Sequence, residues 1–408
     1  MTPTDPRIAI LGAGPIGLEA ALAAAERGLR FTVYEAAESV GGYVRRWGHV
    51  RAFTPWSMNV SERAERFLGA AGMEVPSGSG LPTGRQLVEE LLEPLGSLPM
   101  LASRLRLGSR VLALAREGLL KHEEIGSGRR ALAPFRLLVA EPGGGERAEA
   151  ADVVIDCTGT YGHPNRLGDG GIPAPGEQAF EERIVRAIPD VAREADAWAE
   201  RTVLLTGAGH SAQTAARDLA ALARHASRTK VIWAIRSPAP AWRAVTGDPL
   251  PERAALNAAA AQIAGGASDA IDVRTGAVTE ALTGRGGRVV ATLRNGGREE
   301  VGVDRILALN GGVGDASLYR QLQVHECYAT SGPMKLAAAL LGEAGAGGDC
   351  LTRAAHGPET LVNPEPGFFI LGSKSYGRNS QFLLRIGWQQ VEDVVEMVAG
   401  GRAAVRRG

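Results

Sequence analysis

The 408-residue sequence predicts an α/β protein made of two similar units, each a parallel sheet plus a β-meander, with the second unit inserted in the first. Three observations carry this. An apolar run that stops at a glycine turn and enters a helix-like segment occurs twice, as RIAILGAGPIG at 7–17 and TVLLTGAGHSAQ at 202–213. Each is followed by a second apolar run, FTVYE ending at Glu35 and KVIWAIR at 230–236. Each pair is followed in turn by short strand-like segments separated by glycine, the pattern of an antiparallel meander.

The elements follow in order. The chain opens with a strand over Ile8–Leu11, the turn, an alanine-rich helix over about Ile16–Glu26 and the strand ending at Glu35, with Gly41-Gly42 soon after. Thr83 reads as the N-cap of GRQLVEELLEPL. RVLALA (110–115), FRLLVA (135–140) and, after the turn PGGGER, ADVVIDCTG (151–159) read as the first meander. Residues 162–176, rich in Gly and Pro, form a connector. The second unit starts at Val203, and DVRTGAVTEAL, GRVVATLRNGG and EEVGVDRILALN (272–310) repeat the meander. GFFILGSKSYGRNS and a helix over about Gln381–Val398 close the chain. The expected division is residues 1–164 with 308–408, and residues 165–307.

Composition sets the class. Apolar residues at 45% and charged residues at 22% are those of an ordinary globular protein. A formal charge of zero gives no electrostatic case for nucleic acid or an acidic membrane. Every apolar stretch is broken before about 18 residues, too soon for a membrane span. The first strand begins at Arg7, leaving no room for a signal peptide, so a cytoplasmic protein is expected. Cys157, Cys327 and Cys350 lie far apart, with no metal spacing and no disulfide scaffold, and no metal is expected. Only Lys121, Lys230, Lys335 and Lys374 are lysine among 45 basic residues.

The glycine turns carry the chemistry. Gly12 permits the tight turn, Gly14 lets backbone approach a pyrophosphate, and Gly17 lets helix pack on strand. Pro15 and Ile16 open the helix whose N-terminus faces the phosphates, and Glu35, 18 residues after Gly17, supplies a carboxylate for a ribose. The second turn, Gly207-Ala-Gly209-His210-Ser211-Ala212, has alanine at the third position and a hydroxyl at the helix start. At the end of its next strand stands Arg236 rather than an acid. A guanidinium pairs with a 2′-phosphate where a carboxylate repels it, which favours NADP(H) over NAD(H). Two dinucleotides with different adenosine ends imply a resident FAD on the first unit and a visiting NADPH on the second.

On GAGPIG with Glu35, Gly41-Gly42, DCTGTYGHPN (156–165), GAGHSA (207–212), LALNGG (307–312) and GFFILGS (367–373), the sequence resembles the two-dinucleotide-binding-domain flavoproteins of the pyridine nucleotide-disulfide oxidoreductase superfamily, and within them the flavin-containing monooxygenase-like branch. The resemblance implies crossings between domains at Thr158-Gly159 and Asn310-Gly311, and a flavin set that takes in Gly42, Trp47, Thr158, Gly159, Gly372 and Ser373. It also implies that Lys374, Tyr376 and Arg378 lie at the pyrimidine edge of the flavin and Asn59 beside it, as candidate catalytic residues. Asn59 equally suits a turn, and Asn379 or Ser380 a helix cap. The chain departs from the disulfide-reducing members in having Ser373 for an aspartate and no C-x-x-C or C-x4-C pair. It departs from the monooxygenase branch in reading AFEERIVRAIPDV where F-x-G-x-x-x-H is usual.

Three activities fit. The first is oxygenation of a small amine, thioether or carbonyl substrate by dioxygen through a flavin hydroperoxide, with bound NADP⁺ as a lid. The second is reduction of a thiol, quinone or protein acceptor, for which Cys327 and Cys350 are the only support. The third is a redox sensor that binds both nucleotides. A homodimer is left open.

Overall fold

The computed structural model describes residues 5–242, 248–343 and 355–406, the last six of these by backbone alone. Contacts divide the chain into two units, residues 1–163 with 313–408, and residues 164–312.

The first unit begins with β1 (Arg7–Leu11), α1 (Pro15–Glu26) and β2 (Arg30–Tyr34), a parallel pair in which Leu11 lies opposite Tyr34. Thr83 forms the expected N-cap, as a reciprocal capping box with Gln86. A short β3 (Leu105–Arg106) edges the sheet. The meander consists of β4 (Arg110–Arg116), β5 (Phe135–Ala140) and β6 (Glu146–Ala151). This corrects the sequence reading, which took GER at 145–147 as turn and Ala151 onward as the third strand. The strand ERAEAA has little β-propensity and is held by pairing with β5. VVID instead forms β7 (Val153–Asp156), fully buried and parallel to β1, as its continuous apolar run suits.

The second unit repeats the plan. Its parallel sheet contains β8 (Ile184–Val185), β9 (Thr202–Thr206) and β10 (Lys230–Ile235). Between β9 and β10 runs α2 (His210–Ala223), and after β10 comes α3 (Pro251–Ala264). β11 (Ile271–Thr275) pairs with β10, so DVRT belongs to the sheet and not to the meander. The meander is β12 (Val278–Arg285), β13 (Arg288–Asn295) and β14 (Gly297–Val303), and β15 (Arg305–Ala308) returns beside β9. The boundary at 312 therefore keeps β15 whole within this unit, whereas a division at 307 cuts its last residue off.

The chain then completes the first sheet with β16 (Phe368–Ile370), giving the order β16-β7-β1-β2-β3. The final helix, α4 (Leu384–Arg406), packs on α1. It starts three residues later than the sequence suggests, so neither Asn379 nor Ser380 caps it. Asn379 Oδ1 instead accepts from the Gln381 N–H at 3.0 Å, a local turn. Among the described residues no helix is long and apolar enough to cross a membrane.

Candidate dinucleotide sites

The first turn assigns its glycines by sterics. Gly12 has φ +95°, and a Cβ there stands 2.9 Å from the Cys157 carbonyl oxygen. A Cβ on Gly17 falls 1.8 Å from the Gly12 oxygen, so helix and turn touch only because it is absent. Gly14 is different: its φ of −82° suits any residue, and nothing lies within 4 Å of its Cβ position. The open space beside Gly14, at the uncapped N-terminus of α1, fits a pyrophosphate. Pro15 is the first residue of that helix, and buried Ile16 reaches Gly372, whose Cβ position is 3.3 Å from Ile16 Cγ1.

Glu35 is buried and grips the loops around it. Its Oε2 accepts from the Ala13 N–H at 2.7 Å and its Oε1 from the Ala37 N–H at 2.8 Å. Each oxygen keeps a second lone pair for a ribose hydroxyl. The Gly41 N–H donates to the Ala13 carbonyl at 3.0 Å, and at Gly42 a Cβ comes within 2.4 Å of Ala37 Cβ. The double glycine thus lets this loop close on the turn. Beyond it, Trp47 packs on Gly84 and stands 6.3 Å from the Tyr161 ring. Among the described residues, Trp47 Nε1 and His49 Nε2 are buried without a hydrogen-bond partner.

The second turn reproduces the first. Gly207 has φ +108°, and its Cβ position is 2.3 Å from the Leu309 oxygen, as Gly12 meets Cys157. Gly209 has open space around its Cβ position, as Gly14 has. His210 and exposed Ser211 begin α2, which also lacks a side-chain cap. Register refines one expectation. Leu11 lies opposite Tyr34 and Thr206 opposite Ala234, so the counterpart of Glu35 is Ile235, fully buried, and exposed Arg236 is one residue further on.

The crossing segments also match. Gly159 and Gly311 are both left-handed, at φ +70° and +77°, just beyond β7 and β15. Thr158 donates from its N–H and its hydroxyl to Asp156 Oδ1, at 3.0 and 2.7 Å. Ser373 Oγ lies 3.6 Å from the Cβ position of Gly159, and Gly372 donates its N–H to Gln390 Oε1 at 2.9 Å.

Three of the four residues expected beside a reacting group have partners within the protein. Lys374 is buried, with Nζ bonded to Asp156 Oδ2 at 2.6 Å, the Asp315 carbonyl at 2.8 Å and Thr158 Oγ1 at 3.2 Å. Its charge is thereby spent on a carboxylate in the core. Asn59 Nδ2 donates to the carbonyls of Thr54 and Pro55 at 2.8 Å, and Thr54 Oγ1 donates to Asn59 Oδ1 at 3.0 Å, which ties one turn together. Tyr376 is 2% exposed and packs edge-on against Phe382. Arg378 remains exposed, its N–H donating to the Thr330 carbonyl at 2.7 Å.

Cys157 and Cys327 are free thiols, and Cys350 lies outside the described residues. Burial first, and then the Asp156 charge, push the Cys157 thiol well above its ordinary pKa. It is therefore a poor nucleophile.

Residues 10–68 match the family model described as an NAD(P)-binding Rossmann-like domain. No curated protein matches the sequence. Among solved structures, the bacillithiol disulfide reductase Bdr of Bacillus cereus is 17% identical, with a TM-score of 0.69 over 97% of this chain and 99% of its own. The fold is that of the two-domain flavoproteins. Oxygenating members of this fold are similar too. The FAD-bound cadaverine monooxygenase of Erwinia amylovora is 11% identical, with a TM-score of 0.66 over 97% of this chain and 95% of its own. The ornithine N-hydroxylase of Kutzneria sp. 744, solved with reduced FAD, NADP⁺ and L-ornithine, is 15% identical, with a TM-score of 0.60 over 97% and 99%. In the flavoprotein fold of this chain, sequence reasoning overlooked Trp233 and Gln213. Trp233 Nε1 donates to the Gly207 carbonyl at 2.8 Å, and Gln213 Nε2 to the Ala208 carbonyl at 3.0 Å. A glutamine in the first helical turn after a glycine motif is the one signal that marked Gln213.

Proposed function

We propose that this protein is an NADPH-dependent FAD oxidoreductase that oxygenates a small nitrogen- or sulfur-containing nucleophile. One observation carries the nucleotide assignment: two glycine turns of matching geometry differ at the ribose position. The first is closed by the carboxylate of Glu35, suited to a ribose diol, and the second has Ile235 followed by the exposed cation Arg236. FAD is assigned to Gly12, Gly14, Pro15, Ile16, Gly17, Glu35, Gly42, Trp47, Thr158, Gly159, Gly372 and Ser373. NADPH is assigned to Gly207, Gly209, His210, Ser211 and Arg236. The flavin supplies hydride acceptance and, once reduced, reaction with dioxygen.

The chain's own residues bind and orient. The open faces of Gly14 and Gly209 admit diphosphates, the helix N-termini favour their charge, and Glu35 holds the ribose. The balance is one NADPH, one proton and one dioxygen consumed, with one oxygen atom entering the substrate and the other leaving as water. The hydroxylating enzymes of this fold support oxygenation. The raised pKa of the partly buried Cys157 also argues against this thiol as a redox nucleophile.

Full-length similarity to Bdr favours a second reading, reduction of a disulfide. Anaerobic reduction with NADPH followed by rapid mixing with oxygen and a panel of amines and thioethers separates the two. Oxygenation gives a delayed return of the oxidised flavin spectrum and one oxygenated product per NADPH. Immediate return with stoichiometric hydrogen peroxide and no product from any nucleophile overturns it.

A further inference from the structure

We propose that Gln213 and Trp233 act as a clamp on the second glycine turn, directing the Ala208 N–H at the 2′-phosphate of NADP(H). This rests on the assignment of that nucleotide to the second unit. The turn presents two carbonyls, and each is held by one side chain. The Trp233 indole N–H takes the Gly207 oxygen at 2.8 Å, and the Gln213 amide takes the Ala208 oxygen at 3.0 Å. Both side chains are fully buried. The same Gln213 Nε2 also donates to the Trp242 carbonyl at 3.3 Å. Two carbonyl acceptors at one end of the amide require its NH₂ there, which decides the orientation of the group.

Peptide planarity turns this clamp into a ligand-directing device. The described backbone contains no cis peptide bond, so a carbonyl and the next residue's N–H point in opposite directions. With the Gly207 and Ala208 oxygens drawn toward Trp233 and Gln213, the N–H groups of Ala208 and Gly209 face away from both. Gly209 is the open position that suits the pyrophosphate. The first unit shows what the other donor is for. There Ala13 N–H is bonded by an anionic oxygen of Glu35 at 2.7 Å, and the Ala13 carbonyl is held by the Gly41 N–H at 3.0 Å. In the second unit Gln213 performs the task of Gly41, while the counterpart of Glu35 is the apolar Ile235. The anionic oxygen for Ala208 N–H then comes from the nucleotide. Arg236, one residue beyond Ile235, adds the charge that distinguishes a phosphate from a hydroxyl.

Gln213 is thus a positioning residue, tested on the flavin-loaded protein by calorimetric titration with NADP⁺ and NAD⁺. In Gln213→Met, which keeps the bulk and removes the donors, NADP⁺ affinity falls at least about tenfold, the value of one well-placed charge-assisted hydrogen bond. NAD⁺ affinity falls less, and the KM for NADPH rises by a larger factor than kcat falls. A second measurement needs no variant. In protein labelled with ¹³C-carbonyl glycine and ¹⁵N alanine, the Ala208 amide resonance shifts more with NADP⁺ than with NAD⁺, and the Ala13 amide moves with neither. Wild-type protein that binds neither nucleotide overturns the assignment beneath the inference. Wild-type binding with an unmoved Ala208 amide, or equal losses for both nucleotides in Gln213→Met, overturns the clamp alone.

Discussion

Asp152 holds Arg7 by three hydrogen bonds, one from its backbone N–H at 2.8 Å and two from its guanidinium at 3.0 and 2.9 Å. Arg7 is the first residue of β1, and Asp152 immediately precedes β7. The second unit repeats the backbone part of this latch, where Asp304, just before β15, accepts from the N–H of Thr202 at the start of β9, also at 2.8 Å. In both units the acid's own N–H returns a bond to the strand's first carbonyl at 2.8 Å. The duplication thus extends to the way each pair of central strands is brought into register.

The Asp152 latch carries a pH signature. Burial alone raises the Asp152 pKa, but the Arg7 hydrogen bonds and charge outweigh it and hold the carboxyl below its ordinary value. A lowered folded-state pKa means stability that is present above the unfolded value of about 4 and lost as pH falls through the lower folded value. Asp152→Ala is expected to cost roughly 1–3 kcal/mol at neutral pH in urea unfolding, since it leaves the Arg7 N–H without its acceptor. Its loss relative to wild type shrinks below about pH 4. A deficit that stays constant through that range counts against the latch.

Gly14 and Gly17 are predicted to fail in different ways. At Gly14 an added Cβ has nothing within 4 Å beyond its chain neighbours, so Gly14→Val is expected to fold and melt near the wild-type temperature but to purify without flavin. Gly17→Ala drives a methyl to 1.8 Å from the Gly12 oxygen, so the protein itself is lost from the soluble fraction. Flavin content per chain and thermal melting, read together, check both. A Gly14→Val protein with full FAD removes the assignment of the first turn.

Lys374 is predicted to be a residue of stability. Lys374→Met leaves Asp156, whose side chain is fully buried, as an unpaired carboxylate, at a cost of about 3–5 kcal/mol in chemical denaturation. Lys374→Met with Asp156→Asn recovers part of that loss, because no buried charge remains. If the single variant unfolds as wild type does but reduces flavin slowly, the ammonium acts on the flavin after all.

Legibility in the sequence followed the range of the cause. The glycine turns were readable because their reason is local: a positive φ at Gly12 and Gly207, and helix against strand at Gly17. Thr83 as a cap was readable for the same reason, its partner Gln86 being three residues away. The third strand of the first meander was not, since ERAEAA carries neither aromatic nor β-branched residues and is a strand only because β5 lies beside it.

By itself the sequence determined a twice-built α/β chain with two glycine turns, an acid near one and a cation near the other. Steric and hydrophobic periodicities of a few residues are written locally and survive without the fold. The tertiary structure decided the partners. Lys374 finds Asp156 across 218 positions, and Arg7 finds Asp152 across 145. It also decided that Ile235, not Arg236, stands opposite the role of Glu35, a matter of strand register that one residue's slip reverses. A polar side chain bonds whichever group the packed chain brings within about 3 Å, and that choice is made only when the core closes.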